Sequence, residues 1–268
     1  MPEIGVDTSA AEAYASALVP GLFGAWARDA ISWAGISQGD QVLDVACGPG
    51  VATRPAARKA GPAGRVVGVD SDPGMIAVAK AASVDDKSVR LEWRCASAQG
   101  LPFEDKSFDI VLCLQGLQFF PDRILALREM ARVLKSGGRL LAIVWRSLDY
   151  CKGYQAMVQV LEKRGIDAAP ARKPFSLGDE QVLKEAAENG GFRNVRVRVE
   201  KKLAEFPSAE AFLEAVARGA PSSRFALAKV APDDRAAFVS EVSEILGPYA
   251  EGGALRFPME SYVLEARL

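Results

Sequence analysis

The sequence predicts an α/β fold in which helices cover both faces of a mostly parallel sheet. Short apolar segments rich in valine and leucine recur along the first half of the 268-residue chain. Segments with helical periodicity separate them. Strands buried on both faces are continuously apolar, and alternating strands and helices build parallel sheets with right-handed crossovers.

Four strands are predicted in this half, with helices between them. Asp72 and Pro73 are expected as the N-cap and first residue of one helix. Pro121 and Asp122 open another helix, and Gly137 is expected to end it. The strands are QVLDVAC (41–47), RVVGVD (65–70), FDIVLCL (108–114) and RLLAIVW (139–145).

Beyond residue 145 the alternation loosens into helical patterns and two further strands. The helices are expected near 153–164, 179–191, 208–218 and 232–246, and the strands in 194–206 and 254–268. The N-terminal 30 residues are also helical in pattern. We therefore expect one structural domain in three parts. They are an N-terminal helical lid (1–38), a ligand-binding core (39–146) and the remainder of the sheet with inserted cap helices (147–268).

The composition is that of an ordinary globular protein, with 49% hydrophobic and 25% charged residues and a net charge of −1. A net charge this small does not attract nucleic acid. No apolar run approaches the roughly 18 residues of a membrane span. The N-terminus shows no basic region before an apolar core, so we expect a cytoplasmic protein. Widely spaced cysteines argue against a zinc site or disulfide framework and are expected in the core. They are Cys47, Cys95, Cys113 and Cys151.

The chain contains no histidine. An imidazole base or metal ligand is therefore excluded, and with it a Ser-His-Asp hydrolase and the usual zinc hydrolases. We expect no metal site.

The stretch VLDVACGPG (42–50) ends a strand in a glycine turn of the kind that lets backbone approach a ligand. The dinucleotide fingerprint needs a third small residue, and Thr53 stands in its place. Asp44 at the strand end suits a ligand with an ammonium and a sulfonium group better than a pyrophosphate. Asp70, at the end of the next strand, can accept hydrogen bonds from both ribose hydroxyls. Together these features favour S-adenosylmethionine over NAD.

Four segments carry a family resemblance: VLDVACGPG (42–50), VVGVDSDPGMIAVAK (66–80), ASAQGLPFEDKSFDIVLCLQGLQFFPD (96–122) and LREMARVLKSGGRLLAIVW (127–145). Together they resemble a class I S-adenosylmethionine-dependent methyltransferase of the type 11 group, which is ubiquinone/menaquinone biosynthesis-like. The resemblance implies a Rossmann-like, mostly parallel seven-stranded sheet. It also implies S-adenosyl-L-methionine as cofactor and S-adenosyl-L-homocysteine as product, bound by the core at 39–146.

The resemblance further implies which residues hold the cofactor. The turn from Asp44 to Gly50 would wrap the methionine part, with Asp44 near its ammonium group. Asp70 would hold the ribose, and Met75 would pack on the adenine. The expected cofactor residues are Asp44, Ala46, Gly48, Gly50, Asp70, Ser71, Met75, Ser97, Ala98 and Leu114.

Two positions depart from the family pattern. Ser97 stands where an aspartate usually reads the adenine amino group, and a neutral acceptor predicts weaker cofactor binding. Relatives often carry histidine near Gln118, whereas a glutamine can orient a substrate but cannot take a proton. The expected acceptor pocket is Tyr14, Gln115, Gln118 and Phe119.

The sequence thus predicts a methyltransferase acting on a small, apolar or aromatic molecule by in-line O-, C- or N-methylation without a histidine base. No catalytic residue is assigned, because the donor methyl is already activated. Two alternatives stay open. The chain could be a non-catalytic methyltransferase-like protein that binds the cofactor or, less favoured, an NAD-dependent oxidoreductase.

Overall fold

The computed structural model describes residues 6–83 and 90–268, so residues 1–5 of the predicted lid and 84–89 of the predicted core lie outside it. Its centre is a sheet in the order β3-β2-β1-β4-β5-β8-β6, with the short β7 paired to β8. The strands are β1 (Gln41–Val45), β2 (Arg65–Asp70), β3 (Arg90–Cys95), β4 (Phe108–Leu114), β5 (Leu134–Trp145), β6 (Arg193–Phe206), β7 (Ala250–Glu251) and β8 (Ala254–Arg267).

The predicted α/β fold with a mostly parallel sheet is confirmed. Strands β1 to β5 pair in parallel, and β8 lies antiparallel between β5 and β6. Strand β1 has β2 on one side and β4 on the other, so the order of the strands reverses there. Open sheets of this kind bind ligands at the carboxyl ends of the strands beside such a reversal.

Helices cover both faces of the sheet. They are α1 (Ser9–Ala13), α2 (Gly24–Trp33), α3 (Thr53–Ala60), α4 (Pro73–Ala81), α5 (Arg123–Val133), α6 (Lys152–Lys163), α7 (Ala169–Arg172), α8 (Glu180–Asn189), α9 (Ala209–Gly219), α10 (Ser223–Leu227) and α11 (Arg235–Leu246). A π-helical segment, Tyr14–Phe23, joins α1 to α2. No helix of the described residues is long and apolar enough to cross a bilayer.

Two hydrophobic cores lie on the opposite faces of the sheet. Because side chains alternate along a strand, Leu112 of β4 enters one core and its neighbour Val111 enters the other. The first core also takes in buried residues of α2, α3, α6, α9 and α11. The second takes in residues of α5 and α8. This arrangement leaves the strand ends free to carry a site.

Helix boundaries test two of the sequence predictions. Asp72 caps α4 as expected, since its carboxylate accepts a 2.7 Å hydrogen bond from the Gly74 amide. The predicted helix end at Gly137 is wrong, because α5 stops at Val133. Leu134 is already extended and pairs with Phe108 as the first residue of β5.

Strand β3 was missed by the sequence analysis. Its residues RLEWRC mix charged and apolar side chains because the strand lies at the sheet edge and is largely half-exposed. Cys95 at its end is exposed, so the prediction that this cysteine is a core residue is wrong. The other three cysteines are buried, as expected.

Candidate functional site

A cavity of about 300 Å³, here called the main cavity, lies at the carboxyl ends of β1, β2, β3 and β4. Its size is at the lower end of the range for small-molecule sites, roughly 300–1,000 Å³. Most of the predicted cofactor residues line it, namely Ala46, Gly48, Asp70, Ser71, Met75, Ser97, Ala98 and Leu114. Asp44 and Gly50 lie behind this wall rather than in it. The parallel strands therefore bring residues from the ends of four strands, β1 to β4, to one surface.

The turn after β1 adopts a left-handed backbone at three of its residues. The φ angles of Ala46, Gly48 and Gly50 are 58°, 53° and 79°. A Cβ atom at Gly50 would lie 2.2 Å from the Trp93 ring, so only glycine fits there. Ala46 has a backbone conformation that is uncommon for a residue with a side chain. Its methyl group fits because residue 116 is glycine: a Cβ at position 116 would lie 2.5 Å from that methyl group. Small residues on both loops thus keep this side of the cavity open.

Asp70 is held by two backbone amides. Its Oδ2 accepts from the Gly48 N–H and its Oδ1 from the Asp72 N–H, both at 2.9 Å. Burial nevertheless raises the pKa of Asp70, and these two hydrogen bonds only partly oppose the effect. Each carboxylate oxygen keeps a lone pair for the cavity, which is what a pair of ribose hydroxyls requires.

Asp44 is buried behind the turn, with 1% of its surface exposed. The Thr53 hydroxyl donates to its Oδ2 at 2.6 Å. Burial raises the pKa of Asp44 to about 7, the Thr53 hydrogen bond opposes this, and the charge of Asp70 adds to it. A cation nearby would offset the effect of the Asp70 charge on Asp44, so this end of the cavity suits a positively charged ligand.

Ser97 and Met75 lie on the same side of the main cavity. The Ser97 hydroxyl accepts a 3.1 Å hydrogen bond from the Gln99 amide. The Met75 sulfur lies 4.0 Å from the position that a Cβ of Gly48 would occupy. The site thus offers a neutral acceptor and a thioether beside the glycine turn.

A smaller inner cavity of about 30 Å³ lies against the main cavity. Four residues line both and form a shared wall: Tyr14, Gln115, Phe119 and Pro221. Three of these are predicted pocket residues. The far side of the inner cavity is mainly apolar and aromatic, with Leu18, Phe23, Trp145 and Tyr154 among its residues. A cavity of this size is large enough to hold a water molecule.

The fourth predicted pocket residue, Gln118, lines neither cavity. It is 1% exposed, and its Nε2 donates a 3.0 Å hydrogen bond to the Gln115 Oε1. Gln115 in turn donates to the Ser261 hydroxyl on β8, also at 3.0 Å. Gln118 therefore lies one layer further from the ligand space than expected. In this position it orients Gln115.

Tyr14 contributes a hydroxyl from the π-helical segment. Its ring stacks on Phe23 with 4.9 Å between ring centroids. Burial raises the pKa of Tyr14 far above its ordinary value, and the charges of Tyr154 and Asp70 raise it further. The hydroxyl consequently stays protonated and can donate a hydrogen bond, but it does not act as a base near neutral pH.

The cap adds three residues to the main cavity that sequence reasoning missed: Gly219, Pro221 and Arg224. A Cβ at Gly219 would lie 2.6 Å from the Tyr14 backbone nitrogen, so α9 touches the N-terminal segment at the cavity itself. Arg224 is the one basic residue of the described chain that lines this cavity. No motif surrounds it in the sequence, and only the packing of α9 against the N-terminus brings it there.

These features fit S-adenosylmethionine. The main cavity combines a doubly anchored, half-buried carboxylate for the ribose with a glycine turn that permits close approach, and the buried Asp44 behind the turn favours positive charge there. The negative charge of a pyrophosphate would be repelled by the same acids.

Comparisons with known proteins agree with this geometry. Residues 43–142 match the type 11 methyltransferase domain family. A demethylmenaquinone methyltransferase of Staphylococcus aureus is 32% identical over 186 residues, covering 65% of this chain and 76% of the relative.

Solved structures share the fold. The YcgJ protein of Bacillus subtilis superposes with a TM-score of 0.60 and 19% identity, covering 90% of this chain and 98% of that one. Phosphoethanolamine N-methyltransferase 2 of Haemonchus contortus, in complex with S-adenosyl-L-methionine, gives a TM-score of 0.61 and 20% identity, covering 97% of this chain and 57% of that one.

Proposed function

This chain belongs to the class I S-adenosylmethionine-dependent methyltransferases of the type 11 group, and we propose that it methylates a small, largely apolar or aromatic molecule held beneath its cap. Its cofactor is S-adenosyl-L-methionine. The observation that carries the proposal is the shared wall, where Tyr14, Gln115 and Phe119 separate the main cavity from an aromatic inner cavity. An acceptor reaching this wall would meet a flat, apolar surface with two hydrogen-bonding groups.

We propose the following roles for the cofactor residues. Asp70 accepts from the ribose hydroxyls, and Met75 packs on the adenine. Ser97 takes the position of the adenine-reading acid. Asp44 stabilises the ammonium group by charge from behind the glycine turn rather than by direct contact. The other residues of this set provide backbone and shape; they are Ala46, Gly48, Gly50, Ser71, Ala98 and Leu114.

The cofactor supplies a methyl group already activated by a sulfonium, so the residues of this chain align the acceptor and exclude water. Gln115 is fixed by hydrogen bonds on both of its amide atoms and can hold the acceptor in one orientation. Tyr14 stays protonated, and the Asp72 carboxylate is occupied in capping α4. The remaining carboxylate in the lining, that of Asp70, is assigned to the ribose, so no carboxylate or phenolate among the described residues that line the main cavity is left to act as a base. The proposed acceptor therefore arrives as a nucleophile.

The N-terminal segment and the cap together form the proposed lid. Residues of 1–38 and of 147–268 meet at Tyr14 and Gly219, above the core at 39–146. The name of the Staphylococcus aureus relative, a demethylmenaquinone methyltransferase, is in keeping with a small-molecule acceptor. We also propose that the protein acts in the cytoplasm and on no nucleic acid. Free thiols at all four cysteines and the net charge of −1 support this.

Calorimetric titration with S-adenosylhomocysteine tests the cofactor site. We expect micromolar binding of S-adenosylhomocysteine and no binding of NADH. Asp70→Asn should lower the affinity for S-adenosylhomocysteine about 10-fold or more, because the group that accepts from the ribose hydroxyls loses its charge. Asp40→Asn, an acid outside the cavity, is the matched control. Preference for NADH, or an unchanged affinity in Asp70→Asn, would contradict the proposed site.

A screen of small aromatic and aliphatic acceptors with S-adenosylmethionine then tests turnover. Methylation of apolar or aromatic molecules is the expected result. Tight cofactor binding without methylation of any acceptor would favour the non-catalytic alternative, and methylation of macromolecules alone would contradict the proposed acceptor class.

A further inference from the structure

We infer that the acceptor carries one anionic group, a carboxylate or a phosphate, and that Arg224 of the cap binds it in the main cavity. This inference rests on the proposed function, since it concerns the molecule that shares the cavity with the cofactor. It adds a charge to an acceptor whose body is otherwise apolar.

Side chains of opposite charge line the main cavity. Asp70 and Asp72 line it at the end of β2, and Arg224 lines it from the cap. The positive charge of the cofactor complements the two aspartates. It does not complement Arg224, whose charge stays uncompensated. A second ligand with a negative charge would complement both the arginine and the cofactor.

Arg224 is positioned but unsatisfied. Its Nε is buried and has no hydrogen-bond partner among residues 6–83 and 90–268. Its guanidinium lies 4.9 Å from the Phe225 ring centroid, a contact that restricts the side chain. The charge also reaches Asp7, whose pKa is lowered mainly by hydrogen bonds from Ser9 and less by Arg224. Asp7 is exposed, so it competes weakly with a ligand held in the cavity.

Two further polar groups without partners lie next to Arg224 in the chain. Ser222 and Ser223 are 7% and 0% exposed, and neither hydroxyl has a hydrogen-bond partner in the described part of the chain. Ser223 lines the inner cavity beside the shared wall. Buried hydroxyls are nearly always paired, so the unpaired hydroxyl of Ser223 is free to bind a polar group in the inner cavity, whereas Ser222 lines neither cavity. Arg224, which lines the main cavity and has an unpaired buried Nε, is thus the residue of this segment that can donate to an anion there.

A carboxylate could also come from the methionine part of the cofactor. We assign Arg224 to the acceptor because its neighbour Ser223 lines the inner cavity, which no residue of the glycine turn lines. Substitution of Arg224 separates the two cases: it should weaken binding of the cofactor if the carboxylate is the cofactor's, and binding of the acceptor if the anionic group is the acceptor's.

Binding of benzoate, phenyl phosphate and the neutral analogue benzamide is measured by ligand-observed NMR titration, with and without saturating S-adenosylhomocysteine. Native protein should bind the two anions about 10-fold or more tightly than benzamide, as a charge-assisted pair implies. Arg224→Gln should abolish this preference and leave the Kd of S-adenosylhomocysteine within about 2-fold. Arg224→Lys should retain part of it, since the charge remains without the planar fork.

Arg218→Gln is the matched control, because Arg218 is an exposed cap arginine that does not line the main cavity. It should keep the full preference for anions. Absence of the preference in native protein, or its persistence in Arg224→Gln, would overturn the inference. So would a large loss of S-adenosylhomocysteine affinity in Arg224→Gln with the anion preference intact, because the arginine would then belong to the cofactor. Native protein that fails to bind S-adenosylhomocysteine would instead contradict the proposed function, and the titrations of free protein would still decide the role of Arg224.

Discussion

The hydroxyl of Thr53 donates a 2.6 Å hydrogen bond to Oδ2 of Asp44, and both side chains are buried. Thr53 is the residue that breaks the dinucleotide fingerprint in the sequence. In the fold it is the partner of the acid that distinguishes this site from a pyrophosphate site. Thr53, the first residue of α3, and Asp44 therefore belong to one feature, a buried hydrogen bond between the start of the helix and the end of β1.

The stability of the ligand-free protein should fall as pH rises from about 4 to about 7. Burial raises the pKa of Asp44 to about 7 from its ordinary value of 3.8, so in this range the folded state holds a proton that the unfolded chain has lost. The loss is on the order of 1.4 kcal/mol per pH unit for one such group. Asp44→Asn, which is neutral at every pH, should flatten this dependence. Urea unfolding at pH 5 and pH 8 measures it, and parallel behaviour of the two proteins would contradict the assignment.

Thr53→Val should destabilise the protein by about 1.5–3 kcal/mol, because a buried charged acceptor loses its donor while the side-chain shape is kept. The Thr53 hydrogen bond lowers the pKa of Asp44, so its removal raises that pKa further, and the destabilisation should be larger at pH 8 than at pH 5. Thr8→Val is the matched control. Thr8 also donates to a carboxylate, that of Glu12, but in solvent, and its loss should cost under about 1 kcal/mol. Equal losses in the two variants would argue against a special role for the buried pair.

Ser97→Asp should tighten S-adenosylhomocysteine binding by about 3- to 10-fold. It replaces a neutral acceptor of the adenine amino group with a charged one, and a carboxylate can still accept from the Gln99 amide as the hydroxyl does. Ser97→Ala should weaken binding, since it leaves no acceptor. Calorimetry measures all three proteins. If Ser97→Asp binds no more tightly than native protein, Ser97 does not occupy the proposed adenine position.

Gly219→Ala should separate the cap from the N-terminal segment. The added methyl group would lie 2.6 Å from the Tyr14 nitrogen and 2.8 Å from its Cα, and backbone cannot move aside as a flexible side chain can. We expect a loss of about 1–3 kcal/mol in stability and faster proteolysis within 6–33. Gly247→Ala serves as the control, because a Cβ there meets nothing within 4 Å. Unchanged proteolysis of Gly219→Ala would show that this contact does not hold the lid.

Much of the fold was predictable from local patterns. The apolar runs of β1, β2, β4 and β5 and the Asp72 cap are encoded in neighbouring residues, because burial on both faces and capping chemistry are local requirements. Strand β3 was missed because an edge strand needs no continuous apolar run. The predicted helix end at Gly137 was wrong because the left-handed conformation of this glycine belongs to an irregularity within β5. Sequence alone does not separate such an irregularity from a helix end.

The sequence by itself determined the family, the cofactor and the glycine turn, since a donor with a sulfonium and a ribose needs particular residues at strand ends that follow one another in the chain. Only the tertiary structure decided what surrounds the acceptor. Arg224 and Ser223 reach the cavities because α9 packs against Tyr14 at Gly219, and Gln118 leaves the ligand space because it hydrogen-bonds Gln115. These contacts join residues from distant parts of the chain or depend on side-chain packing, so no local pattern records them.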